Sequence, residues 1–182
     1  MGAIIDVIHR QYDKQMRQQW YETYWLIDMH GVIIRPNHKE KLVNKLDFYE
    51  WAKPSLQLLT ARPDIRTILY TCSHKDQIRH YINLLSLHNI EFEYVNDNPE
   101  IGEGDYGDYT NKPYFDVYLD DKAGFDAETE WADIYHWLRQ DNRPDERWRN
   151  PIRERRRTDY LLYWESVRKF ANELVKNKSE NS

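Results

Sequence analysis

With 182 residues, a formal net charge of −5 and a single cysteine, Cys72, the chain can bury a core of its own. The same numbers exclude an internal disulfide, a multi-thiolate zinc site and wholesale electrostatic binding to nucleic acid. Aromatic residues reach 14%, with 14 Tyr and 7 Trp, so large rings must supply much of the buried area.

Met1 to Arg10 holds only the short apolar patch Ala3-Ile4-Ile5, and no window approaches the roughly eighteen apolar residues of a membrane span. Neither a signal peptide nor a span is read, and a reducing cytoplasm is the expected location. Residues 8–19 are polar and predict an entry helix. Tyr24 to Asp28 reads as a first buried strand, followed by a helix from about Phe48 to Ala61 with Pro54 in its first turn. Thr67 to Thr71 predicts a second strand. Ser73 is a suitable N-cap for a helix running to about His88, in which Ile78, Tyr81, Ile82 and Leu85 recur at helical spacing. Glu91 to Val95 predicts a third strand, residues 96–112 a loop, Tyr114 to Asp120 a fourth strand and Ala127 to Gln140 a further helix. Tyr160, Tyr163, Trp164, Val167, Phe170, Ala171 and Leu174 describe an amphipathic C-terminal helix that packs onto the body.

Strands alternating with helices predict an α/β three-layer sandwich around a mostly parallel sheet. No repeat or Pro/Gly/Ser-rich linker divides residues 1–182, so a single domain is expected, with a helical extension over about 127–178. Gly102, Gly104 and Gly107 match the letter of a dinucleotide-binding motif, but Asp108 to Asn111 lead toward a strand instead of a helix, so an acidic loop is read there.

Chemistry concentrates where apolar runs end in acid. Asp28-Met29-His30-Gly31 follows Trp25-Leu26-Ile27, and Asp120-Asp121 follows Val117-Tyr118-Leu119. In a parallel sheet the carboxyl ends of the strands share one crevice, so these acids can converge there beside a divalent metal and a phosphate. Tyr70-Thr71-Cys72-Ser73 and Asn111-Lys112-Pro113 stand between them in the chain.

These four pieces, in this order from about Tyr24 to Phe125, resemble the haloacid dehalogenase (HAD) superfamily of phosphohydrolases, a Rossmann-like fold. The resemblance implies a Mg²⁺-dependent phosphatase acting on phosphomonoesters through an aspartyl-phosphate on Asp28. Asp28, the backbone carbonyl of His30, Asp120 and Asp121 would bind the metal. Thr71, Ser73, Gly31 and Lys112 would grip the phosphate, and Asp28, His30, Thr71 and Lys112 would be catalytic.

His30 departs from the superfamily pattern, which carries a second aspartate at this place. An imidazole can serve as acid and base near neutral pH, which keeps turnover. Alternatively only its backbone matters, which leaves a catalytically degenerate protein that binds phosphate or a phosphorylated partner. The stretches Val32–Tyr70 and Ser73–Asn111 are largely used by scaffold elements, so no sizeable cap domain fits and the site is expected to be open to small or macromolecular substrates. Seven arginines between Arg143 and Arg157 stand against Asp145, Glu146 and Glu154. They invite a third reading, a nucleic-acid end phosphatase, but are read first as a solvated connector.

Overall fold

In a computed structural model, residues 2–36, 45–104, 107–140 and 142–162 are described. Four parallel strands, β1 (Thr23–Ile27), β2 (Ile65–Leu69), β3 (Tyr94–Val95) and β4 (Val117–Leu119), form one sheet in the order β3-β2-β1-β4. Register is fixed by Thr23↔Ile65 through Ile27↔Leu69 on one side of β1 and by Trp25↔Val117 through Ile27↔Leu119 on the other. Every residue of β1 and β2 is buried, as expected for central parallel strands covered on both faces.

Side chains alternate across the sheet and sort into two cores. Trp25, Ile27, Ile65, Leu69, Val117 and Leu119 face a helical layer. It comprises α1 (Ala3–Gln18), α2 (Ala52–Ala61), α3 (Lys75–Ser86) and α4 (Glu130–Leu138). Helix α1 begins earlier than its polar stretch predicts because Ile4, Ile5 and Ile8 are buried in that core. It has no side-chain cap of its own. Acids of α4 cap it instead: Asp133 accepts from the Gly2 amide and Glu130 from the Ile4 amide, both at 2.8 Å.

The opposite face carries Tyr24, Leu26, Ile68 and Tyr94, covered by Ile101, Tyr114, Phe115 and Tyr160 from the segment before β4 and from a C-terminal helix over residues 151–162. Together the two cores make the three-layer α/β sandwich. The helix over 151–162 is held at the amino edge of the sheet by charge. Arg66 of β2, fully buried, lies 2.5 Å from Glu154, 3.2 Å from Glu100, 3.7 Å from Glu93 and 3.9 Å from Glu22. Arg157 pairs with Glu93 at 2.9 Å, Arg153 with Glu22 at 3.7 Å, and Arg156 donates to the Glu100 carbonyl at 3.0 Å. The segment expected to be a solvated connector is thus partly an internal clamp, because its Glu154 pairs with buried Arg66 and its arginines with Glu22, Glu93 and the Glu100 carbonyl.

Other boundaries shift for physical reasons. Strand β2 starts two residues before its predicted position, since Arg66 is tolerated inside it by those partners. Strand β4 starts only at Val117 because Asp116 is spent on capping: it accepts from the Tyr24 amide at 3.0 Å and from the Tyr114 hydroxyl at 2.7 Å. Helix α2 starts at Ala52, with Pro54 in its first turn. The N-cap of α3 is His74, not Ser73, whose hydroxyl is bonded to Thr71. Gly104 and Gly107 pair as a tight antiparallel bridge rather than a strand-to-helix turn. Of the predicted C-terminal stripe, Tyr160 is described and stacks edge-on against Tyr94 at 4.9 Å; the remainder lies outside the described residues. Among the described residues no helix is long and apolar enough to cross a membrane.

Candidate active site

Strands β1 and β4 are direct neighbours, and Asp28 and Asp120 are the next residues after the paired Ile27 and Leu119. The Asp28 amide donates to the Leu119 carbonyl at 2.9 Å, which carries the register to the crevice. Parallel neighbours run about 4.8 Å apart, so the two carboxylates leave the sheet side by side. Both line one open cavity of about 580 Å³ at the carboxyl edge, together with His30, Thr71, Ser73 and Lys122. Tyr70, Tyr118, Asn96 and the free thiol of Cys72 complete its wall.

A tight loop presents Asp28. The Ile33 and Ile34 amides both donate to the Met29 carbonyl at 3.1 Å, and the Gly31 amide donates to the Ile34 carbonyl at 2.9 Å. Gly31 sits at φ +82°, and a Cβ there would come within 2.8 Å of Asp121 Oδ2, so only glycine lets Asp121 fold over the loop. Trp131 of α4 pins the loop from behind by donating to the Val32 carbonyl at 2.8 Å. Residues 33–35 then pair antiparallel with 47–49 beside the crevice.

Burial raises the Asp28 carboxyl above the ordinary carboxylate range. The Met29 amide, donating to it at 2.7 Å, opposes that shift, the negative charges of Asp120 and Asp121 add to it, and Lys122 opposes it. Asp120 is held rigidly: Oδ1 accepts from the Lys122 and Ala123 amides at 2.7 and 3.1 Å, and Oδ2 from the Tyr118 hydroxyl at 2.5 Å. Oδ1 thus has both lone pairs engaged, and Oδ2 keeps one for a further partner. Asp121 is bonded to Lys122 Nζ at 3.1 Å, which raises the lysine pKa.

Thr71 stands two residues beyond β2. Its amide donates to Asn96 Oδ1 at 2.7 Å, its carbonyl accepts from Asn96 Nδ2 at 2.8 Å, and its hydroxyl lies 3.0 Å from that of Ser73. His30 also lines the cavity, with Nε2 3.1 Å from the Tyr81 hydroxyl and the two rings edge-to-face at 5.3 Å.

The structure therefore brings Asp28, His30, Thr71, Ser73 and Asp120 to one wall, with Asp121 and Gly31 directly beside them. Lys112 does not line it. This lysine is exposed and lies five residues before β4, outside the residues that line the cavity. The cation that lines the crevice is Lys122, directly after the acid pair, 82% exposed at its side chain and reaching over Asp121. Asn96, Tyr118 and Tyr81 are the other positions that sequence reasoning left without a role. Tyr118 was marked only by lying two residues, one full strand period, before Asp120.

Fold and crevice together define an α/β three-layer protein with an open, acid-lined cleft at the carboxyl edge of its parallel sheet. No family model matches the chain, and no curated protein matches it. Among solved structures it is similar to a conserved protein coded by a locus of Bacteroides thetaiotaomicron, at 19% identity and a TM-score of 0.49, covering 64% of this chain and 89% of that one.

Proposed function

We propose that the chain is a Mg²⁺-dependent phosphomonoesterase in which Asp28 is the nucleophile. The observation that carries this reading is the pairing of Asp28 with Asp120 on adjacent strand ends, in the same cavity as two hydroxyls and a lysine. An Asp28 carboxylate oxygen attacks phosphorus, the ester P–O bond breaks, and water later cleaves the aspartyl-phosphate. Thr71 and Ser73 donate to the non-transferring oxygens, and Lys122 takes the cationic role expected of Lys112. In this reading His30 protonates the leaving oxygen and then takes a proton from water.

The donor set fits Mg²⁺: oxygens only, with Asp28 ionising against burial and against two neighbouring negative charges. Among the described residues no three His, Cys, Asp or Glu side chains converge to hold a metal, so the ion would have to lean on one or two carboxylates, water and substrate phosphate. Asp28, Asp120 and the His30 carbonyl would hold it, with Asp121 beside them. Bound there, it would neutralise the repulsion between carboxylate and phosphate dianion.

Hydrolysis of p-nitrophenyl phosphate with Mg²⁺ or with EDTA, in wild type and Asp28→Asn, tests this. Metal-dependent turnover that falls at least about a thousandfold in the variant is expected. Absence of turnover over a broad panel of phosphoesters overturns it. One observation favours a second reading, a phosphate-binding protein without turnover: His30 Nε2 is already engaged by the Tyr81 hydroxyl. A His30→Asp variant that gains rate supports that reading of the wild type.

A further inference from the structure

The cavity is far larger than a phosphate group, and its remaining wall is aromatic. Tyr70 follows β2 directly and shares a sheet face with Ile68, while Tyr118 of β4 shares that face with Asp120. Both rings therefore stand on the tyrosine-lined side of the sheet, at the point where it opens into the crevice. They meet edge-to-face at 6.1 Å, and Tyr118 is braced behind by Phe115 at 5.4 Å. The Tyr118 hydroxyl is tied to Asp120 at 2.5 Å, so the ring is fixed relative to the acid pair. Two held, part-exposed aromatic rings beside a phosphate-binding wall lose little conformational freedom on contact with a flat ligand.

We infer that Tyr70 and Tyr118 form a stacking platform for a planar ring carried on the alcohol side of a phosphomonoester, of which a nucleoside 5′-monophosphate is the representative chemistry. This rests on the phosphomonoesterase reading of the same crevice. The amide side chain on this wall, Asn96, is oriented by the Thr71 backbone, which takes one bond from its nitrogen and gives one to its oxygen. Stacking on a ring face tolerates any base, with purines held more strongly than pyrimidines for their larger face.

Ribose 5-phosphate and AMP share the same primary alcohol and differ at the ring, so their affinity ratio isolates stacking from phosphate binding. Titration calorimetry on Asp28→Asn protein, free of turnover, reads that ratio. AMP is expected to bind at least about tenfold tighter, ~1.4 kcal/mol, with UMP between the two. Tyr70→Leu should bring the ratio to within about twofold, and Tyr70→Phe, which keeps the ring, should restore it. A ratio near one with Tyr70 present, or one that Tyr70→Leu leaves unchanged, overturns the inference. If phosphotyrosine gains over phosphoserine while AMP does not gain over ribose 5-phosphate, the planar ring is the phenol of a tyrosine and not a base. Hydrolysis of AMP and ribose 5-phosphate by wild-type protein is read separately. Failure to cleave either, with the affinity ratio intact, rejects the phosphatase reading and leaves the platform standing.

Discussion

Arg66→Met tests the claim that charge holds the second face of the sheet together. Methionine retains an unbranched apolar stem and removes the guanidinium that four carboxylates share, Glu154 at 2.5 Å and Glu100 at 3.2 Å closest. The Pro63 carbonyl also loses a donor at 2.7 Å. Deleting one partner of a buried ion pair costs about 3–5 kcal/mol. The lower end applies here because Glu93 keeps Arg157 and Glu22 keeps Arg153. With a urea slope of ~2 kcal/mol per molar, the unfolding midpoint followed by tryptophan fluorescence should fall by about 1.5–2 M.

The deficit should also depend on pH. Burial holds the Glu22 and Glu93 carboxyls above the ordinary value of 4.5, against the opposing pull of Arg66. A carboxyl whose folded pKa exceeds its unfolded one binds its proton more tightly when folded. The stability it costs at neutral pH is therefore regained as pH falls through the folded pKa toward the unfolded one. Without Arg66 those folded values rise further, so the variant should recover more on acidification to about pH 5 than wild type does. A loss below about 1 kcal/mol near neutral pH, or an equal deficit at both pH values, would refute the reasoning.

Gly31→Ala places a methyl 2.8 Å from Asp121 Oδ2 at φ +82°, and should cost about 1–2 kcal/mol while displacing that acid; an unchanged melting temperature contradicts this. Trp131→Phe leaves the Val32 carbonyl without its donor beneath the Asp28 loop and opens space in the core, for about 2 kcal/mol by chemical unfolding. A stability within about 0.5 kcal/mol of wild type would mean that this bond does not hold the loop.

The sequence by itself determined where the parallel strands lie and which acids end them, because a strand buried on both faces must be a continuous apolar run, and the residue after it is the first free to be charged. Asp28, Thr71 and Asp120 were legible for that reason. Only the tertiary structure decided what partners from distant segments supply. A strand predicted from Thr67 begins at Ile65, because the charge of Arg66 reads as a strand breaker until Glu22, Glu93, Glu100 and Glu154, scattered along the chain, surround it. The crevice cation was likewise misplaced, since the resemblance pointed to Lys112. Strand β4 runs toward the carboxyl edge and delivers the residues just past its end, Lys122 among them, to the crevice, a fact of strand direction that the sequence alone does not state. Local pattern encodes burial; the identity of a neighbour across the sheet is a property of the folded chain.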